Sequence, residues 1–401
     1  MKAVIIGASE EALHTIEKAH NHGIQVTALD GNPNAAGLSD ADKELVVDIS
    51  DEHAIIEAVR KERPDFVLTV PIGRYLTTVG AVNDALGLPG ITREMAVLCT
   101  DKYRFHEKLA EHGLRNCHCY AVGKERTVTE EFFLNFPAIL KPRYGSGSRG
   151  IHMVNHQQEL AAALEQTKGE EYVLEDCVPG DEYGVDGAVI QEQFHMVLLR
   201  KKVNTPPPAR QAVGYFACTE EDDFWQQVYD YMSQVVRCVG LQECLLHSDL
   251  IRGEKGPFVI ELSARPSGHN LHNLFTPLCT GIDMAEEYIK YRMGDTFSFT
   301  PKCIRPMMIH YFDGQGKVNK VPDEEAIERL LKERASQDKG EQVKLIHWHC
   351  NITEGEMLSP VSDGHSVMGR GFYILEGNNK ERMLEWAGVI MEQFFEKGII
   401  V

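Results

Sequence analysis

The stretch His247-Ser248-Asp249-Leu250-Ile251-Arg252-Gly253-Glu254-Lys255-Gly256-Pro257-Phe258-Val259-Ile260-Glu261-Leu262-Ser263-Ala264-Arg265 contains two runs of alternating character around a Gly-Glu-Lys-Gly turn, the pattern of a β-hairpin. A hairpin centred on Lys255 places residue 249 opposite 261 and 247 opposite 263. Asp249 and Glu261 then share one face. Directly opposed like charges destabilise a sheet unless a cation lies between them, so the pairing argues for Mg²⁺ held by both carboxylates. Ser263 and then Arg265 continue along that face. The plainer alternative is a solvated hairpin with compensating lysines.

Upstream, Ala138-Ile139-Leu140-Lys141-Pro142-Arg143-Tyr144-Gly145-Ser146-Gly147-Ser148-Arg149-Gly150-Ile151 reads as a buried strand that delivers a lysine into a Gly/Ser loop. Small residues let backbone amides and hydroxyls approach a polyphosphate, and the lysine adds a point charge. This is not a Walker loop, because the lysine precedes the glycines and sits between strands. The bland reading is a hairpin turn with a solvated lysine. Between the two stretches, Tyr172-Val173-Leu174-Glu175-Asp176-Cys177-Val178-Pro179-Gly180-Asp181-Glu182 leaves a strand at a Pro-Gly bend. Unpaired backbone there can read an adenine edge, and a carboxylate a few residues on can bind ribose. Acids beside a turn are otherwise merely solvated. In the helix that begins near Asp101, Lys102 shares the stripe of Phe105 and Leu109, which aims a cation at packed structure unless the side chain snorkels.

Residues 1–92 alternate short apolar runs with helical patterns: strands at Lys2–Ile6, Gln25–Asp30, Leu45–Ile49 and Phe66–Val70, with a helix over Glu10–His22. This is βαβ logic and predicts a parallel sheet covered by helices. Gly7-Ala8-Ser9-Glu10-Glu11-Ala12 lacks the second glycine of a dinucleotide fingerprint and carries two acids where pyrophosphate would sit, which excludes NAD. Asp30, ahead of Gly31-Asn32-Pro33-Asn34, reads as a turn former. From Pro137 to Arg265 the pattern changes to consecutive strands with hairpin signals, an α+β arrangement. After Thr300-Pro301 a smaller α+β region follows, with strands at Met307–Phe312, Val343–His349 and Gly371–Leu375 and helices at Asp323–Arg334 and Lys380–Phe395. The expected division is 1–92, 93–178, 179–300 and 301–401.

The chain has 401 residues, 43% hydrophobic, with 41 Lys plus Arg against 60 Asp plus Glu, a net charge of −19. Such a charge disfavours nucleic acid and anionic lipid as partners. The absence of a run of about 18 apolar residues predicts a cytoplasmic location with no membrane partner. The 10 cysteines include no C-x-x-C pair and read as reduced thiols. Cys117-His118-Cys119 and His347-Trp348-His349-Cys350 lack the matching second pair of a zinc site.

Taken in order, Lys102, Lys141 with its loop, the Glu175–Glu182 segment, the Asp249/Glu261 hairpin and Arg265 resemble the ATP-grasp superfamily over about residues 1 to 300. Glu261-Leu262-Ser263-Ala264-Arg265-Pro266-Ser267-Gly268, the length and the added C-terminal region are most similar to its L-amino-acid ligase branch. The resemblance implies a parallel-sheet domain ahead of a two-part ATP-grasp fold with antiparallel sheets, then a small α+β domain. It also implies ATP with Mg²⁺ or Mn²⁺. Lys102 and Lys141 would contact phosphates, and Gly145, Ser146, Gly147 and Ser148 would cover them. Glu175 with Val178 would meet adenine and Glu182 ribose. Asp249, Glu261 and Ser263 would hold the metal, and Arg265 would stabilise the transferred phosphoryl group. The family usually has Asn where this chain has Ser263, which implies altered metal binding.

The activity so implied joins a carboxylate and an amine, both small molecules, through an acyl phosphate. His269 then orients the amine or takes its proton, or else only shapes its loop. Arg210, after Thr205-Pro206-Pro207-Pro208, clamps a substrate carboxylate or is solvated. Competing expectations are a purine-synthesis ligase or carboxylase acting on a ribonucleotide, for which Pro71-Ile72-Gly73-Arg74 offers only one basic residue, and a nonenzymatic nucleotide-binding regulator. An enzyme of this size is expected to form a homodimer.

Overall fold

Ala3–Ile6 are fully buried, and in the computed structural model they lie in β1 (Lys2–Ile6), the strand around which the first sheet is built. It runs parallel to both β2 (Gln25–Asp30) and β4 (Phe66–Leu68), with β3 (Lys43–Val46) beyond β2, in the order β3-β2-β1-β4. The structure describes residues 1–123, 135–145, 147, 149–167, 169–206, 210–337 and 342–395. Two expectations move. The third strand lies at 43–46, two residues earlier than its apolar run suggested, because Thr27 to Asp30 pair with Lys43 to Val46 and this edge strand is largely solvated. The expected first helix divides into a 3-10 turn, Glu10–Ala12, and an α-helix, Leu13–Asn21.

The chain divides into two compact units. The first comprises Met1–Ser146, Gly150–Leu199 and Asp223–Lys302. Besides the parallel sheet it holds an antiparallel sheet of β5 (Cys119–Val122), β6 (Ala138–Pro142), β7 (His152–Val154) and β8 (Tyr172–Asp176), ordered β5-β8-β6-β7. Val122, Leu140, Leu160 and Leu174 form the core beneath that sheet. The same unit contains β9 (Asp181–Ile190), the first part of β10 (Gln193–Asn204), β12 (Cys244–Gly253) and β13 (Gly256–Ser263), with β12 antiparallel to both β9 and β13. Ile5, Ile16, Phe66, Val197, Leu245 and Met284 share one core, so the parallel sheet and this second sheet bury their apolar faces together. Ion pairs from His14 and Lys18 to Asp283, and from His22 to Glu286, tie the Leu13–Asn21 helix to Met284–Met293.

The second unit comprises Gly147–Arg149, Arg200–Asp222 and Cys303–Val401. In it β11 (Ala212–Cys218) pairs antiparallel with β14 (Met307–Tyr311), which pairs with β18 (Gly371–Glu376) and then β16 (Lys344–Cys350). A two-strand ribbon of β15 (Gly316–Lys317) and β17 (Met357–Leu358) stands apart. Phe216, Met308, Phe312, Leu331, Tyr373 and Trp386 are among its core residues. The His-Trp-His run of β16 is built into aromatic packing: His347 and His349 both lie against Phe372, while Trp348 stacks on Tyr373. Among the described residues no helix is long and apolar enough to cross a membrane.

Candidate functional site

The register of β12 against β13 sets Asp249 opposite Glu261 and His247 opposite Ser263, so the two carboxylates share a face. The turn differs from the one expected. Gly253 pairs with Gly256 around the two residues Glu254 and Lys255, and the register shifts after Asp249, leaving Ile260 as the extra residue of a β-bulge. The bulged Ile260 carbonyl accepts from His106 Nε2 at 3.0 Å. His106 lies in the helix Lys102–Glu111, on the same inward stripe as Lys102 and Phe105.

Asp101 caps that helix, accepting from the amides of Tyr103 and Arg104. It also receives Arg143 Nε at 2.8 Å, Arg143 Nη2 at 2.7 Å and the Tyr144 hydroxyl at 3.2 Å. The base of the glycine loop is thereby fixed to the helix start, and Lys102 Nζ donates to the Gly145 carbonyl at 2.8 Å. Burial pushes the Lys102 ammonium below its usual value, and the Glu261 charge opposes that shift. Gly150 needs its glycine: φ is +68°, and a Cβ would stand 2.9 Å from the Tyr172 hydroxyl. Gly147 groups with the second unit, where its carbonyl faces the Gly364 amide at 3.5 Å. Ser146 and Ser148 lie outside the described residues.

Lys141 and Glu175 meet each other across β6 and β8. Lys141 Nζ is in direct contact with Glu175 Oε1, Arg115 Nη2 lies 2.6 Å from Oε2, and His106 Nδ1 lies 3.1 Å from Oε2. Burial alone would raise the Glu175 carboxyl, but Lys141, His106 and Arg115 outweigh it and hold it well below the usual carboxylate range. Burial pulls His106 down to about 4. Among the described residues, His106, Cys119 and Glu175 are the one group of three His, Cys, Asp or Glu whose donor atoms all lie within 4.8 Å of one another. Burial pushes the Cys119 thiol up to about 12, and two cations already neutralise Glu175, so this group has the chemistry of a closed ion-pair network. Neither His106 nor Arg115 was singled out from the sequence. The helical stripe of Lys102 and Phe105 carried a signal for His106, while Arg115 had none.

Arg74, Lys102, Gly145, Glu261, Ser263 and Arg265 line one pocket. Desolvation lowers the Arg265 guanidinium from its usual value, opposed by the charges of Glu261, Glu11 and Asp249. Glu11 is the second acid of the N-terminal loop, read above only as excluding pyrophosphate. Its Oε1 accepts the His269 amide, and a Cβ on Gly268 would stand 2.9 Å from it. Burial raises the Glu11 carboxyl, against the lowering effects of that hydrogen bond and of Arg265. His269 and Asn270 both have left-handed backbone, at φ +65° and +58°, and a π-helical turn, Leu271–Phe275, follows. Consecutive left-handed residues without glycine are a strained arrangement of the kind that gathers at functional sites. Of the remaining candidates, Val178 packs 3.5 Å from where a Gly253 Cβ would be, Glu182 on β9 pairs with Ile251 on β12, and Arg210 lies half-buried with φ +46° in the second unit.

The donor set fits a hard divalent cation: two carboxylates in register on one sheet face, with a hydroxyl beside them. Lys102 and Arg265 add positive charge next to Glu261, as an anionic ligand bridged to such a cation would require.

Residues 99–269 match the family model described as an ATP-grasp domain. The formate-dependent phosphoribosylglycinamide formyltransferase of Prochlorococcus marinus is 21% identical over 209 residues, 50% of this chain and 51% of its own. Dapdiamide A synthase of Enterobacter agglomerans is 21% identical over 252 residues, 57% of this chain and 58% of its own. The chain thus spans little more than half the length of these curated relatives. The L-amino acid ligase from Bacillus licheniformis has the same fold, with a TM-score of 0.75 at 19% identity, covering 97% of this chain and 96% of that one. Residues 99–269, which carry the paired acids, Lys102 and Arg265, are thus the part of the chain that matches an ATP-grasp domain.

Proposed function

We propose that the protein is an ATP-dependent carboxylate–amine ligase that activates an amino acid or similar carboxylate and joins it to an amine, releasing ADP and phosphate. The observation that carries this reading is the pairing of Asp249 with Glu261 in a pocket wall shared with Lys102 and Arg265. A carboxylate is a poor electrophile because its charge repels nucleophiles. Transfer of the γ-phosphoryl group to its oxygen gives an acyl phosphate, which the amine attacks as phosphate leaves and the amine proton is lost. Mg²⁺ or Mn²⁺ on Asp249, Glu261 and Ser263 would neutralise the phosphate charge. Lys102, Lys141 and Arg265 would orient the anionic groups, and the backbone at Gly145 would lie against the triphosphate. Val178 would meet adenine and Glu182 would meet ribose, while Glu175 stays in its ion-pair network.

The choice of an amino acid over a ribonucleotide rests on Glu11. A buried acid beside Arg265 suits an ammonium group and repels a phosphorylated cosubstrate, and the neighbouring loop supplies one basic residue, Arg74. The formyltransferase relative favours the second reading, a ribonucleotide substrate. A screen of amino-acid pairs for ATP-dependent phosphate release decides between them. Release with amino acids supports ligation. Turnover only with formate, bicarbonate or ribonucleotides supports the purine-type reading, and nucleotide binding without any turnover supports a regulator.

A further inference from the structure

The turn that follows Arg265 is held from two sides. Arg265 lines the pocket with Lys102 and Glu261, and its Nη1 donates to the carbonyl of the next residue, Pro266, at 2.7 Å. The direction of the guanidinium is therefore tied to the path of the backbone at Pro266 and Ser267. The Ser267 carbonyl accepts from His272 Nδ1, and the His269 amide donates to Glu11 Oε1. Glu11 belongs to the 3-10 turn after β1, and His272 to the π-helical turn Leu271–Phe275. Segments far apart in the sequence thus meet on one short turn.

A carbonyl oxygen can only accept, so the His272 proton resides on Nδ1 and Nε2 is left as a bare lone pair. That atom is buried without a hydrogen-bond partner among the described residues, in a residue that is 0% exposed. Burial also pulls the imidazole down to about 4, which keeps it neutral near pH 7. The orphaned Nε2 is a cost that only a well-placed Nδ1–H donor offsets. Glu11 is seated as closely: a Cβ on Gly268 would stand 2.9 Å from its Oε1 and 3.0 Å from its Oε2, and the nearest atoms all belong to Glu11. The Gly268 backbone lies outside the left-handed region, so glycine is there for room and not for φ. His269 and Asn270, at φ +65° and +58°, form a backbone pair that persists only where its surroundings over-determine it. Glu11 and His272 supply that constraint.

We propose that Glu11 and His272 are positioning residues that clamp the turn after Arg265 and so keep its guanidinium aimed into the pocket. This inference rests on the ligase reading above, in which Arg265 meets the transferred phosphoryl group. It gives Glu11 a second task, because the carboxylate supplies the acceptor that seats His269 as well as a charge. A guanidinium that turns away with its backbone misses the geometry of transfer, so loss of the clamp falls on kcat more than on KM.

The test is a double-mutant cycle on the full chain, read as ATP-dependent phosphate release with an amino-acid pair that supports turnover. Glu11→Ala and Gly268→Ala should each lower kcat by about 10-fold to 100-fold with little change in KM for ATP. The first removes the acceptor and the second displaces it. The double variant should be no slower than Glu11→Ala, because the added methyl group then has nothing to displace. Glu11→Gln keeps an oxygen that can accept from His269, so it should recover much of kcat, and a raised KM for the amine in that variant reports the lost charge alone. His272→Asn, whose Nδ2–H replaces the Nδ1–H, should likewise turn over faster than His272→Leu. Losses that multiply in the double variant, or a kcat in Glu11→Ala within about twofold of wild type, overturn the clamp and leave the ligase reading intact. Without turnover in the wild-type chain the ligase reading falls, and binding of ADP with aluminium fluoride, a mimic of the phosphoryl group in transfer, decides the clamp. A loss of about tenfold or more in Glu11→Ala, with ADP binding unchanged, supports it, and wild-type affinity overturns it.

Discussion

Glu175 and Glu261 are both acids on antiparallel strands of the first unit, yet their surroundings are opposite. Glu175 is enclosed by Lys141, Arg115 and His106 in a buried network. Glu261 faces another acid, Asp249, across a hairpin and lines a pocket with Lys102 and Arg265. The first acid has its countercharges inside the protein, while the second pair concentrates negative charge where a ligand can reach it. Burial of an acid is therefore a poor guide to its role, and the identity of what faces it is a better one.

Substitutions should separate the two acids sharply. Asp249→Asn, Glu261→Gln or Arg265→Ala should lower turnover by about a thousandfold or more, and the first two should leave the melting temperature unchanged or raised, because a like-charge pair is relieved. Steady-state phosphate release alongside calorimetry would show it, and a large stability loss in Glu261→Gln would erase the contrast. Glu175→Gln should cost about 3–5 kcal/mol of stability by stranding buried cations, read from urea unfolding.

Acid should act on the Glu175 cluster next. His106 takes its proton in the unfolded chain near 6.5 but in the folded one only near 4, so stability falls as pH drops through that window. Glu175, with its folded value depressed, adds stability that is present above its ordinary 4.5 and is lost as pH falls through the folded value. His106→Gln should flatten the slope between pH 6.5 and 4; an unaltered slope would detach His106 from the network. The smallest effect concerns thiols: iodoacetamide at neutral pH should label exposed Cys303 first and spare Cys119, whose thiol burial pushes up to about 12.

Local pattern made much of this legible. The β1 and β2 strands follow from their apolar runs, and the Asp249–Glu261 pairing follows from alternation around a turn. Counting from Lys255 assumes an odd turn, whereas the molecule makes an even turn and adds a bulge whose carbonyl accepts from His106, 154 positions away. Glu11 was hidden for the same reason, since its partner amide at His269 lies 258 positions along the chain. Periodicity reports which face a residue occupies, not which distant segment meets it. The solvated edge strand β3 is a smaller instance, because its place depends on hydrogen bonding to β2.

The second unit takes Arg200–Asp222 from the middle of the chain as well as Cys303–Val401 from its end. A chain cut after Lys302 would therefore not release an intact amino-terminal portion. It would strip β14 from β11, where Gly214, Tyr215 and Phe216 pair with His310, Ile309 and Met308, and leave a naked apolar strand edge open to intermolecular pairing. Interleaving of this kind makes the carboxyl-terminal hundred residues a condition for solubility of what precedes them, so the protein cannot be shortened at its obvious linker.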